Sequence, residues 1–156
     1  MFFYERKNPR ITGYDYTSEN HYFVTICTDN KKCIFGKPNH LNVFGNIARD
    51  CITKITNYYP YVLVDKFVVM PNHIHLILCF SGENKASLSQ VIGQYKMAVT
   101  KQIHQKEKHF TVWQRSFHDH VIRDRESYEK IWNYIDGNPG KWEEDCFYIA
   151  EQKDES

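Results

Sequence analysis

The stretch Val68-Val69-Met70-Pro71-Asn72-His73-Ile74-His75-Leu76-Ile77-Leu78 limits the folds open to this chain more than any other. Two β-branched or apolar runs meet at a Pro-Asn pair, the composition of two strands joined by a tight turn. A strand sends alternate side chains to opposite faces. His73 and His75 therefore point one way, and Ile74, Leu76 and Leu78 the other. An isolated H-x-H is more often a pair of hydrogen-bonded histidines than a metal site. Here the regular apolar register behind the pair favours two imidazole ligands on a rigid strand.

The remaining elements come in an order that fits one sheet. Residues 21–28 are aromatic and β-branched and read as a strand. Asn42 can cap a helix whose apolar positions Phe44, Ile47, Ala48, Cys51 and Ile55 recur at helical spacing, with Asn57 and Pro60 ending it. Residues 61–70 and 73–80 are the strands of the hairpin. Ser87 with Gln90 forms a capping-box signature before a helix with the stripe Leu88, Val91, Ile92, Tyr95, Val99 and Ile103. Residues 117–123 read as a fourth strand. A last helix starts near Asp124 and stops at Gly137 and Pro139. The order β-α-β-β-α-β plus a helix predicts an α+β fold, ferredoxin-like, with a four-stranded antiparallel sheet and an added C-terminal helix. Ile74, Leu76 and Leu78 would face the two crossover helices. His73 and His75 would lie on the other face of a central strand, within reach of the last helix.

Composition narrows the class. A chain of 156 residues is expected to form one domain over 1–156, with an acidic, flexible tail from about residue 143. Five scattered cysteines without a C-x-x-C argue against a disulfide framework or zinc knuckle and fit a reducing cytoplasm. No apolar run approaches about 20 residues, so no membrane span is expected. The first residues lack the apolar core of a signal peptide. Charge is uneven: residues 1–125 hold 17 Lys/Arg against 10 Asp/Glu, and residues 126–156 hold 3 against 9. A basic body of this kind suits a polyanionic partner.

Two histidines leave coordination positions open for a third side chain, water and substrate. The last helix has the apolar stripe Tyr128, Ile131, Trp132 and Ile135, which leaves Tyr134 at its edge. Asn138 comes four residues on and would lie near Tyr134 if the last turn holds past Gly137. Its amide oxygen is a candidate third ligand. His118 and His120 form a second H-x-H, without the Pro-Asn turn or the apolar register, and read as structural or as lying beside the polyanionic partner. Tyr95 is a rival nucleophile, but it falls on an apolar stripe.

Four segments carry a resemblance to a known group: Gly13-Tyr14-Asp15-Tyr16 running into Tyr22-Phe23-Val24-Thr25; the residues from Phe67 to His75; Val112-Trp113-Gln114-Arg115-Ser116-Phe117 running into Val121-Ile122-Arg123; and Tyr134-Ile135-Asp136-Gly137-Asn138-Pro139. The chain resembles the single-tyrosine HUH transposases, in the REP-associated tyrosine transposase branch. The resemblance implies an enzyme that cuts single-stranded DNA beside a hairpin and holds the cut end as a 5′-phosphotyrosine. It implies His73 and His75 as metal ligands, Tyr134 as nucleophile and Mg²⁺ or Mn²⁺ as cofactor. Asn138 stands where the classical insertion-sequence members have a glutamine ligand. Single-stranded DNA would use the basic surface and exposed aromatics, with Arg10, Lys96, Lys101, Gln114, Arg115 and Arg123 as candidate contacts. Members act as monomers or as homodimers with shared sites. Two rival readings stay open: a non-catalytic single-stranded nucleic-acid-binding domain on the same scaffold, and a metal phosphodiesterase that uses water.

Overall fold

The computed structural model describes residues 20–144. In chain order the strands are β1 (Asn20–Cys27), a short pair β2 (Gly36–Lys37) and β3 (His40–Leu41), β4 (Val62–Met70), β5 (His73–Phe80) and β6 (His118–Ile122). The helices are α1 (Val43–Thr53), α2 (Ile55–Tyr58), α3 (Leu88–His104) and α4 (Arg125–Gly137), followed by a 3-10 run over Asn138–Glu144. The main sheet has the order β4-β5-β1-β6, with every neighbouring pair antiparallel. This is the ferredoxin-like arrangement, with the first and third long strands in the centre. Met70 pairs with His73, so Pro71 and Asn72 are the two residues of the turn between β4 and β5.

Local chemistry starts the helices where the sequence places them. Asn42 Oδ1 accepts a 2.9 Å bond from the Gly45 N–H. Ser87 and Gln90 close a full capping box, at 3.2 and 2.8 Å. Asp124 Oδ1 accepts from the Ser127 N–H at 2.7 Å. All six stripe residues of α3 are buried. They pack with α1 against Tyr22, Val24, Ile26, Ile74, Leu76 and Leu78 to make the large core.

Two features differ from the sequence reading. The first helix does not run on to residue 57. It breaks at Lys54, whose φ of −94° and ψ of −4° leave regular helix geometry. Four of the five residues 52–56 are β-branched, which weakens a helix at that point. The break keeps Ile52 and Ile55 both in the core. The small β2–β3 hairpin was also absent from that reading, because strands of two residues carry no periodicity. It depends on Gly36, whose φ is +98° and where a Cβ would lie 2.6 Å from the Asn42 nitrogen.

The other sheet face carries α4. Phe23, Cys27, Ile77 and Ile122 of the sheet pack with Ile131 and Ile135 in a second, smaller core. Tyr128 and Trp132 sit half-buried on its flank. Arg10, the 13–16 segment and the acidic stretch from residue 145 lie outside the described residues. Among the described residues, no helix is long and apolar enough to cross a membrane.

Candidate active site

Strand parity delivers His73 and His75 to the α4 face, and both are fully buried. Their ring centroids are 4.6 Å apart. Tyr134 lies against His75 at 5.3 Å and Trp142 lies over His73 at 6.0 Å. Phe23, in the strand beside them, touches both His75 and Tyr134. One chain thus brings the paired imidazoles and the tyrosine together without a second copy.

The partners of each Nδ1 define which ring atom faces the site. Asn72 Nδ2 donates to the Lys31 carbonyl at 3.2 Å, which turns Asn72 Oδ1 toward His73 Nδ1 at 2.8 Å. An amide oxygen only accepts, so His73 carries its proton on Nδ1 and Nε2 holds the lone pair. His75 Nδ1 lies 2.9 Å from Thr25 Oγ1, its cross-strand partner, and the same tautomer follows if Nδ1 donates there. These are the outer contacts that orient a metal-binding histidine.

The last turn of α4 holds past Gly137. Asn138 has φ −59° and ψ −44°, and its N–H bonds the Ile135 carbonyl. Its side chain is only 3% exposed. Oδ1 is buried and makes no hydrogen bond among the described residues. A buried acceptor left without a donor is costly, and a cation would satisfy it. Two imidazole nitrogens and an amide oxygen are a donor set that suits Mn²⁺ or Mg²⁺. No His, Cys, Asp or Glu cluster of three or more that could hold a metal occurs among the described residues, so a third ligand drawn from these residues would be of another kind.

The competing residues are placed elsewhere. His118 pairs with Thr25, which in turn pairs with His75, so the two histidines share a row but stand two strands apart, about 10 Å. His120 pairs with Phe23 two rows further along. Tyr95 is fully buried in the other core and donates to the Ala48 carbonyl at 2.9 Å. Burial, with Cys51 nearby, pushes its hydroxyl well above the ordinary phenol range. Tyr128 donates to Asp65 Oδ2 at 2.9 Å on the surface. Desolvation and then that carboxylate push it up to about 12.

The candidate DNA contacts separate in space. The Gln114 N–H bonds the Cys27 carbonyl, next to His73, so Gln114 and the exposed Arg115 lie at the histidine end of the sheet. Arg123 is exposed just past β6, at the opposite end. Lys101 is exposed on α3, in the other layer. Lys96 Nζ bonds the carbonyls of Gln114 and Ser116, at 2.8 and 3.1 Å, and ties that segment to α3. Three residues of the site escaped the sequence reading. Thr25 could have been found from strand parity opposite His75, and Asn72 from its place beside His73 in the turn. Trp142 lies beyond a helix end and had no periodic signal.

The solved structures that the fold matches define a class. One is described as a REP-associated tyrosine transposase bound to a REP hairpin, with TM-score 0.60 and 20% identity over 85% of this chain and 74% of that one. Another is a crystal structure from Deinococcus radiodurans described provisionally as a transposase, with TM-score 0.52 and 17% identity over 83% of this chain and 97% of that one. At such identities the likeness is one of fold, and the fold is that of transposases. The sequence then gives the family: the description "Transposase IS200 like" matches residues 16–138, and the chain belongs to that family. An uncharacterised Haemophilus influenzae protein is 36% identical over 94% of both chains. A second protein of that organism, provisionally named a REP-associated tyrosine transposase, is 28% identical over 81% of this chain and 74% of its own. The family resemblance read from the motifs is therefore correct, and the chain is a DNA-processing protein of the transposase type.

Proposed function

We propose that this chain nicks and rejoins single-stranded DNA beside a hairpin through a tyrosine ester. The observation that carries the reading is the Tyr134 ring 5.3 Å from His75, whose ring is in turn 4.6 Å from that of His73. Tyr134 Oη forms the bond to phosphorus. The P–O3′ bond breaks, the 3′ oxygen takes a proton, and a 5′-phosphotyrosine remains. His73, His75 and Asn138 would hold a divalent ion, Mg²⁺ or Mn²⁺. When bound, it supplies Lewis-acid polarisation of the phosphate. A phenol ionises only near pH ~10, so the attacking group has to be held in line and lose its proton as the bond forms. Phe23 and His75, on neighbouring strands, both pack against the Tyr134 ring from the sheet side, and α4 fixes its height over the sheet. The ester conserves the bond energy, so rejoining needs no ATP.

A flexible strand reaches a site under a helix more readily than a stiff duplex, which favours a hairpin with a single-stranded flank as substrate. Gln114 and Arg115 are the phosphate or base contacts nearest the histidines, and binding through such contacts weakens with salt. A DNA substrate and scattered cysteines without a C-x-x-C fit a cytoplasmic activity. Because the pair and Tyr134 meet within one chain, a monomer suffices for cleavage, and any homodimer would serve another step. The test is incubation of labelled hairpin oligonucleotides with Mn²⁺, a denaturing gel, and peptide mapping of the adduct. An adduct on Tyr134, absent in Tyr134→Phe, is the expected result. Cleavage without an adduct would favour the water-using phosphodiesterase. Metal-independent binding without cleavage would favour the non-catalytic domain.

A further inference from the structure

β4 contains one irregularity. Val64 pairs with Leu78 and Lys66 with Ile77, so Asp65 is an extra residue in the strand. A bulge of this kind bends a strand and re-aims its side chains. Neighbours in a regular strand face opposite ways, but here Asp65 and Lys66 both meet α4. Asp65 Oδ2 accepts from Tyr128 Oη at 2.9 Å. Lys66 Nζ lies 4.0 Å from the centre of the Trp132 ring and 2.8 Å from Asp136 Oδ1. His21 closes the Asp65 end, with Nε2 3.6 Å from the carboxylate and its ring edge-on to Tyr128.

Tyr128, Trp132 and Asp136 are four residues apart and form one stripe along a flank of α4. Ile131 and Ile135 make the buried stripe beside it. Tyr134 lies on the far side of that stripe, about 160° round the helix from Trp132. The apolar contacts alone let a helix roll or slide on a sheet. A polar grip on one flank, at both ends of a two-turn stripe, removes that freedom. We propose that Asp65 and Lys66 are positioning residues, presented together by the bulge as a two-point latch that sets the roll and register of α4 and so holds Tyr134 against His75. The proposal rests on Tyr134 as the nucleophile. Asp136 and Lys66 are partly exposed, at 57% and 22%, and such pairs add little to global stability. The latch therefore decides where α4 sits, not whether the chain folds.

Three measurements test it on the full chain: adduct formation at saturating hairpin DNA with Mn²⁺, DNA affinity, and amide hydrogen exchange along α4 and β5. Lys66→Met and Asp65→Ala should each lower the adduct rate, together by about ten- to a hundredfold, the scale of a small misplacement of a reacting group. DNA affinity, thermal midpoint and β5 exchange should stay unchanged, while α4 exchange quickens. Lys66→Glu should fall further, and adding Asp136→Lys should recover part of the loss. Unchanged adduct rate and α4 exchange in both single variants would overturn the latch, as would a charge swap no better than Lys66→Glu. If Tyr134→Phe still forms the adduct, the nucleophile reading fails separately. Exchange along α4 then decides the latch by itself: faster in the variants supports it, unchanged overturns it.

Discussion

On the face covered by α1 and α3, the central strands bury Tyr22, Val24, Ile26, Ile74, Leu76 and Leu78 completely. On the face covered by α4, the same strands bury Phe23, Thr25, Cys27, His73, His75 and Ile77 almost as deeply, none above 2% exposed. Burial does not tell the two apart. What differs is what is buried. Thr25, Thr28, Asn72, His73 and His75 gather at one corner, and Asn138 is buried at the end of α4, the helix over this face; of the buried polar residues described only Asn84 is on neither. Dry polar groups weaken a core unless each has a partner. Their concentration at the histidine end of the sheet marks that corner as built for chemistry and the other face for cohesion.

His75 and Leu76 are adjacent and equally buried, so they divide the two roles cleanly. Tyr134→Phe should give the largest effect of all, a loss of roughly three orders of magnitude or more in adduct formation on the denaturing gel. Its thermal midpoint should barely move. His75→Ala should abolish Mn²⁺ heat in isothermal titration and still unfold close to the parent midpoint. An unfolded His75→Ala would mean that the α4 face also carries cohesion. Leu76→Ala should do the reverse. It should cost about 3 kcal/mol in denaturant unfolding, because it opens a cavity in the large core. The protein that remains folded should bind Mn²⁺ normally.

Smaller effects sharpen the contrast. Asn72→Ala removes the acceptor that holds His73 Nδ1–H and should weaken Mn²⁺ by about ten- to a hundredfold. Asn72→Asp keeps an acceptor there and should recover much of it. The smallest effect is alkaline. Tyr128 is pushed up to about 12 in the fold from an ordinary 10, so its neutral form is favoured by folding. That contribution is whole below about pH 10 and is lost as pH rises toward 12. The stability of Tyr128→Phe should fall less over that window than the parent's. Absorbance at 295 nm should show Tyr128 titrating in the folded protein and Tyr95 only as the other core opens.

Much of this was legible in the sequence because the signals are local. Strand parity placed His73 and His75 opposite Ile74, Leu76 and Leu78. Side-chain caps at Asn42, Ser87 and Asp124 marked three helix starts. The element order allowed one familiar sheet, and the motif pair at 70–75 and 134–139 pointed to the family. The edge position of Tyr134 also followed from counting along a helix. None of this required knowing what the elements touch.

Tertiary structure decided what depends on residues far apart in the chain. Periodicity gives the apolar arc of α4, but only packing sets its roll, and with it the contact of Tyr134 with His75. The bulge at Asp65 leaves no mark in a pattern of alternation, yet it turns two neighbours onto one helix. Lys96 looked like a surface cation until the fold brought the carbonyls of Gln114 and Ser116 to its ammonium. Asn138 could have been a solvated cap beyond a glycine. The fold instead buries its oxygen, because the turn continues past Gly137. Local rules select the elements and their faces. The distances between them are fixed by contacts that no short window of sequence contains.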